Sequence, residues 1–264
     1  MSSFPELFAL SGRRALVTGA ASGIGYAIAR ALADAGAELA LHTARNLDAV
    51  AGYERSANDL AAEICQRGQR AIVIDADLSL PRAAREVATQ ACETLGYVDV
   101  LVVCASVQQR QPFSSIDAHQ IEAELTTNFR STIDLIQGVL PGMLEQSWGR
   151  VLAIGSINQL RPEPELATYA ALKAAQHNLI VNLARAHASS GVTFNTLSPG
   201  LIETERNRWR RYNPTEWLQI TQAANPMQRA GKPAEVVGAA LLLCSPASSF
   251  ITGIDLQVCG GGQL

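Results

Sequence analysis

Short aliphatic and β-branched runs alternate with longer stretches of helical period from one end of the chain to the other, the pattern that repeated βαβ units of a parallel sheet produce. The strands predicted on this basis are Arg14–Thr18, Glu38–Thr43, Ala71–Asp75, Val98–Cys104, Arg150–Ile154, Thr193–Leu197 and Ile254–Val258. A first helix runs from about Gly23 to Ala35 and stops at Gly36, a residue that accepts the positive φ of a C′ position. A long helical stretch spans Asp117–Glu145, opened by Asp117 and Gln120 at capping-box spacing, and Pro141 is expected to kink or end it. Another covers about Ala167–Ser189. Between Gly200 and Pro233 the alternation fails, and Arg, Asn, Trp and Pro dominate an excursion of the kind that forms lids and binding loops. Asn46–Asn58 is long for its connection. With no repeat, low-complexity tract or linker, residues 1–264 read as one α/β domain, a doubly wound parallel sheet of about seven strands with helices on both faces. Residues 200–232 form a candidate substrate loop within it.

Composition narrows the class. With 264 residues, 48% hydrophobic and 17% charged, the chain is long enough for a large core and is not disordered or fibrous. A net charge of −3 argues against a nucleic-acid partner. Cys65, Cys92, Cys104, Cys244 and Cys259 form no C-x-x-C pair, so a reducing compartment is expected rather than a disulfide framework. The apolar run Ala239–Cys244 is far short of the ~20 residues that cross a bilayer. Met1–Leu10 lacks the basic and apolar regions of a secretory signal, so the expected location is the cytoplasm. His42, His119, His177 and His187 show no metal-ligand spacing, and no metal is expected.

Thr18-Gly19-Ala20-Ala21-Ser22-Gly23-Ile24-Gly25 sits where the first strand turns into the first helix. Glycines there let a pyrophosphate approach the free N–H groups of the helix N-terminus, as in a Rossmann dinucleotide fold, although tight turn packing alone would also use them. The second strand ends Leu41-His42-Thr43-Ala44-Arg45, with no carboxylate before Asp48. An uncharged Thr43 with Arg45 behind it favours the 2′-phosphate of NADP(H), while NAD(H) stays open and Arg45 as a plain surface charge is the competing reading.

Tyr169 and Lys173 lie four apart on a predicted helix and so share one face. A nearby ammonium favours the phenolate, which brings a tyrosine toward use as a base at neutral pH. Ser156 ends the preceding strand at the carboxyl edge, where open α/β sheets bind ligands. Alone it would read as a helix cap; with the pair it reads as a donor to a substrate carbonyl.

These residues resemble the short-chain dehydrogenase/reductase family over nearly the whole chain. The matching segments are the Thr18–Gly25 turn, Asp75-Ala76-Asp77-Leu78, Thr127-Asn128-Phe129, Ser156, Tyr169-Ala170-Ala171-Leu172-Lys173 and Ser198-Pro199-Gly200. The resemblance implies a catalytic tetrad of Asn128, Ser156, Tyr169 and Lys173. It also implies cofactor contacts from Thr18, Gly19, Ser22, Gly23, Ile24, Gly25, Thr43, Arg45, Asp77, Leu78, Ala105, Tyr169, Lys173, Pro199, Gly200, Ile202 and Thr204. Tyr169 would take the alcohol proton as hydride leaves the carbinol, and would return it in reduction. Lys173 would hold the nicotinamide ribose and depress the Tyr169 pKa, Ser156 would orient substrate, and Asn128 would fix a water in a proton relay.

The chain departs from the family's Asn-Asn-Ala-Gly with Val103-Cys104-Ala105-Ser106, where Ser106 is expected to shift the cofactor or add a hydrogen bond. Cys259 stands in place of an acidic residue before the terminal glycines. Both cysteines read as small buried hydrophobes rather than reactive thiols.

Gln108, Gln109, Arg110, Asn158, Gln159 and Arg161 fall where the resemblance puts substrate, and suit a sugar, a polyol or a hydroxy or keto acid. Arg206, Arg208, Trp209, Arg210, Arg211, Tyr212 and Trp217 would close over an anion or a sugar, or else form a basic surface or subunit contact. The alternatives are a 3-oxoacyl-carrier-protein reductase, with Arg206–Arg211 docking the acidic carrier, and a dinucleotide sensor without turnover. By analogy with the family, the two long helices would pair copies into a homodimer or homotetramer.

Overall fold

The computed structural model of the protein describes residues 4–50 and 56–264. Met1–Ser3 of the N-terminal stretch and residues 51–55 of the Asn46–Asn58 connection lie outside the described residues. Seven described strands form one parallel sheet: β1 (Arg14–Val17), β2 (Glu38–Thr43), β3 (Ala71–Asp75), β4 (Val100–Val103), β5 (Gly149–Ile154), β6 (Val192–Pro199) and β7 (Asp255–Val258). Their order is β3-β2-β1-β4-β5-β6-β7. Around them run α1 (Phe4–Phe8), α2 (Gly23–Asp34), α3 (Arg45–Val50), α4 (Ala57–Gln66), α5 (Ala83–Leu95), α6 (Ala118–Leu125), α7 (Ser131–Glu145), α8 (Ala167–Ala186), α9 (Pro214–Ala224) and α10 (Pro233–Cys244).

Successive strand residues face opposite sides, and the two cores follow that alternation. Ala15, Val17, Val100, Val102, Leu152 and Ile154 pack with Ile28 and Leu32 of α2, Leu60 of α4 and Val236 and Leu243 of α10. Leu16, Leu101, Val103, Val151 and Ala153 pack with Val87 of α5, Leu135 and Val139 of α7 and Ile180 of α8. Coverage of both faces explains why the strands read as continuous apolar runs. Ala15 aligns with Leu39 on one side and with Val100 on the other. The chain leaves β1 toward β2 and leaves β4 in the opposite direction, so a crevice opens between them at the carboxyl edge.

Two predicted elements need correction. Asp117 and Gln120 do form a capping box, but the long helix breaks at a π turn, Thr126–Arg130, while Pro141 lies inside α7. The hydroxyls of Ser131 and Thr132 donate to the carbonyls of Thr127 (2.6 Å) and Asn128 (3.2 Å), which gives the widened turn alternative partners. The 200–232 excursion contains a 3₁₀ segment, Glu205–Arg211, and a regular helix, α9, capped by Asn213 and started by Pro214. The one buried residue of α9 is the polar Thr221, and the apolar positions beside it, Trp217, Ile220 and Ala224, are only half-buried, a short stripe lost among the polar residues of the excursion. Among the described residues no helix is long and apolar enough to cross a membrane.

Candidate active site

A cleft of about 1120 Å³ opens at the carboxyl edge of the sheet, lined by the glycine turn at one end and by residues of the 200–232 excursion at the other. The turn closes because Gly19 adopts φ +69°, a region that side chains disfavour. Gly25 then comes so near that a Cβ on it would lie 2.1 Å from the Gly19 carbonyl oxygen. Ser22 occupies the N-cap of α2 without capping it through its side chain, leaving helix N–H groups available for an anion. Thr18 lies behind this wall and fastens it: its hydroxyl accepts from the N–H groups of Cys104 (3.0 Å) and Ala105 (3.1 Å). A tightly closed glycine turn that leads into an uncapped helix N-terminus fits a dinucleotide phosphate.

His42 braces the turn. Its Nδ1 accepts from Gly19 N–H (3.2 Å) and its Nε2 reaches the Ala76 carbonyl (2.9 Å), which together require the neutral Nε2–H tautomer. Burial holds its pKa below 6.5, against the weaker pull of the Ala76 carbonyl and of Asp48, Asp75 and Asp77. The unfolded chain takes up this proton near 6.5 and the folded chain only at lower pH. The stabilisation is therefore whole above about 6.5 and is lost as pH falls through the folded value. Melting temperature should accordingly fall more steeply between pH 7.5 and 5 in the native chain than in His42→Gln. Parallel curves would show that His42 does not couple the turn to acid.

Of the expected cofactor contacts, Gly19, Ser22, Gly23, Ile24, Gly25, Asp77, Leu78, Ala105, Tyr169, Lys173, Pro199, Gly200, Ile202 and Thr204 line the cleft. Thr18, Thr43 and Arg45 do not; His42, Ala44 and Asp48 form the wall there. The Thr43 hydroxyl donates to Asp48, and Arg45 lies 3.5 Å from Asp75 in an exposed ion pair.

Ser156, Tyr169 and Lys173 meet in the middle of the cleft. Ser156 follows β5 in extended conformation, and its hydroxyl faces the Tyr169 phenol closely enough to pull that group's pKa down. Its Oγ also accepts from Asn158 N–H at 3.2 Å. The Lys173 ammonium lies 5.8 Å from the Tyr169 ring centre and donates to the Ile154 carbonyl (2.7 Å) and Gln176 Oε1 (3.1 Å). Burial pushes the Lys173 pKa down to about 8, with a nearby Cys104 opposing and Arg206 reinforcing the shift.

The expected depression of Tyr169 is not what this arrangement gives. Burial raises its pKa; Arg206 and the Ser156 hydroxyl pull it back, and Lys173 is not among the causes. The Asn128 side chain is committed to the backbone of Val107, accepting at 3.0 Å and donating at 2.8 Å. Its carbonyl accepts from Gln176 (3.3 Å) and Thr132 (3.2 Å).

At the other end, Gln108, Gln109, Arg110, Asn158, Arg161, Arg206, Trp209 and Arg210 line the cleft. Gln159 turns away to Asp255 (2.7 Å), and Arg208, Arg211, Tyr212 and Trp217 are outside the lining. Arg110 is neutralised by Glu163 and Glu165. Arg161 donates to the carbonyls of Gly262 (3.2 Å) and Leu264 (3.4 Å). Arg206 reaches across the cleft to the Ser106 hydroxyl (3.0 Å) and carbonyl (2.7 Å), so the serine that replaces a family glycine adds the expected hydrogen bond. With Arg110 neutralised, Arg161, Arg206 and Arg210 are the cations left in the lining at this end, a field that attracts anions.

Cys104 has its thiol pushed up to about 11 by burial, and Cys259 is buried with its Sγ 2.7 Å from Gln263 Oε1. Cys104 is therefore a poor thiolate. Glu124 and Gln176 went unnoticed in the sequence. Glu124 is a buried carboxylate that accepts from Gln109 N–H (2.8 Å) and the Thr168 hydroxyl (2.5 Å). Gln176 had one visible signal, a polar residue one turn beyond Lys173 on the same helix face. Among the described residues no cluster of three or more His, Cys, Asp or Glu could hold a metal.

A family model described as enoyl-(acyl carrier protein) reductase matches residues 19–263, and gluconate 5-dehydrogenase of Gluconobacter oxydans (strain 621H) is 33% identical over 262 residues, covering 98% of each chain. The chain belongs to the short-chain dehydrogenase/reductase family. Solved short-chain dehydrogenase/reductase structures agree. A 3-oxoacyl (acyl-carrier-protein) reductase from Agrobacterium tumefaciens C58 with NADP bound has a TM-score of 0.91 and 42% identity, with 98% of this chain and 97% of that one covered. A gluconate 5-dehydrogenase from Burkholderia cenocepacia J2315, in complex with NADP and tartrate, has a TM-score of 0.87 and 30% identity, with 98% of each covered. As a short-chain dehydrogenase/reductase, the protein is an NAD(P)-dependent oxidoreductase acting on a CH–OH group.

Proposed function

We propose that the protein transfers a hydride between NADP(H) and a small polar alcohol or carbonyl compound: a sugar, a polyol or a hydroxy or keto acid. The observation that carries this reading is the meeting of Ser156, Tyr169 and Lys173 between a glycine cradle and a cation-rich cleft end. The bound nicotinamide supplies the hydride donor or acceptor; the chain binds, orients and moves the proton. Gly19, Ser22, Gly23, Ile24 and Gly25 hold the diphosphate, Asp77 and Leu78 the adenine, and Ala105, Pro199, Gly200, Ile202 and Thr204 the nicotinamide half. In oxidation Tyr169 takes the alcohol proton, Ser156 orients the oxygen, Lys173 holds the ribose, and Asn128 supports the relay behind it. Arg206 and Arg210 face an acidic or hydroxylated substrate.

NADP(H) preference rests on the two NADP-bound relatives and on Arg45, whose exposed pairing with Asp75 is worth at most ~1 kcal/mol and yields readily to a 2′-phosphate. Arg45→Ala should weaken NADPH binding about tenfold and leave NADH within twofold by fluorescence titration. Equal losses would remove Arg45 from the phosphate site. The activity itself is tested by nicotinamide absorbance with a panel of sugars, polyols, sugar acids and keto acids. Turnover on none of them would sink the substrate class.

The second reading, a 3-oxoacyl-carrier-protein reductase, is favoured by the 42% identity to such an enzyme, and kinetics with a carrier thioester separate the two. Nothing favours a sensor without turnover, which has no use for the Ser156–Tyr169–Lys173 cluster. Free cysteines throughout suit the reducing cytoplasm. Exposed Ile121 on α6, Leu144 on α7 and Val181 on α8 suit pairing of copies, and light scattering should give a dimer or tetramer.

A further inference from the structure

Lys173 has three ammonium protons to place. The Ile154 carbonyl takes one at 2.7 Å and Gln176 Oε1 takes another at 3.1 Å, leaving one for the cleft, which Lys173 lines and Gln176 does not. Gln176 is 1% exposed, and its amide has one allowed orientation. Nε2 donates to Thr132 Oγ1 (2.7 Å) and to the Asn128 carbonyl (3.3 Å), so Oε1 must face the ammonium; the flipped amide would set N–H against N–H. Thr132 donates to the same carbonyl, and the Asn128 side chain is pinned to Val107. An unbroken set of hydrogen bonds thus runs from the loop after β4 through the π turn to Lys173.

We infer that Gln176 is a positioning residue for the Lys173 ammonium, and that its side-chain amide ties that ammonium to the Asn128 carbonyl. The inference rests on the proposed role of Lys173, but it can fail separately. The other ionisable groups facing Lys173 are Tyr169 on α8, Cys104 after β4 and Arg206 of the excursion; β5 and the π turn contribute neutral groups. Removing the Oε1 acceptor disfavours the ammonium, and placing a carboxylate there favours it.

The chain has two lysines, Lys173 and Lys232, so lysine ε-carbon NMR of labelled protein resolves Lys173 directly, with Lys232→Arg assigning the signals. Relative to the native protein with NADP⁺ bound, Gln176→Met should lower the Lys173 pKa by about one unit and Gln176→Glu should raise it. The basic limb of kcat should follow in the same two directions, with Gln176→Met losing about tenfold in kcat at pH 8 and keeping its substrate KM. Should the Lys173 titration stay put in both variants, the inference is overturned, even if both lose thermal stability. Opposite shifts in the titration would support it whether or not turnover is found, and lack of turnover would then count against the proposed reaction alone.

Discussion

Tyr169→Phe is expected to lower kcat about a thousandfold while the NADPH dissociation constant stays within twofold of the native value. A positioned proton donor or acceptor contributes 10²–10⁴ in rate, and a thousandfold corresponds to about 4 kcal/mol of transition-state stabilisation. The phenol is buried, faces Ser156 and is held on the same helix face as Lys173, so phenylalanine fills its volume and removes the proton-carrying atom alone. Because burial raises its pKa and Arg206 opposes that rise, Arg206→Ala should move the acidic limb of the oxidation rate to higher pH. Stopped-flow hydride transfer and cofactor titration read the two parts separately. A Phe variant with more than a tenth of native turnover would remove Tyr169 from the chemistry.

Gly25→Ala should abolish tight NADPH binding and cost about 3 kcal/mol of stability, at the upper end of overpacking penalties. The added methyl would sit 2.1 Å from the Gly19 carbonyl oxygen and 2.8 Å from its carbon. Both are backbone atoms that cannot swing aside as a side chain would. The turn must open, drawing Gly19 away from His42 and misaligning the cradle. Calorimetry should show a fall in melting temperature of several degrees, with at least a tenfold loss in NADPH affinity. Gly238→Ala on α10 is the control: its Cβ meets nothing within 4 Å, and exchange of a helical glycine stabilises. Native cofactor affinity in Gly25→Ala would mean that the diphosphate binds elsewhere.

Much of this architecture was readable along the chain, for reasons that also explain what was not. Seven strands stood out because a parallel sheet covered on both faces demands continuous apolar runs, and Tyr169 with Lys173 stood out because helical spacing alone brings them together. The π turn at Thr126–Arg130 adds one residue to a helix and leaves no compositional mark. Gln176 and Glu124 gain their meaning from partners 48 and 15 residues away, Asn128 and Gln109. Arg45 is held beside Asp75, 30 residues on, a pairing that no local pattern announces.

The Thr18 hydroxyl has a consequence for biosynthesis. Its two N–H partners, Cys104 and Ala105, lie 86 and 87 residues further along, and β1 pairs with β4 across the same span. A chain leaving the ribosome can assemble β1, β2 and β3 with their helices, yet the glycine turn lacks its fastening until β4 has emerged. Non-local closure of this kind is slow. Cellular dinucleotide therefore cannot rescue a nascent first half, and fragments ending before residue 105 should be recognised by chaperones rather than stabilised by cofactor.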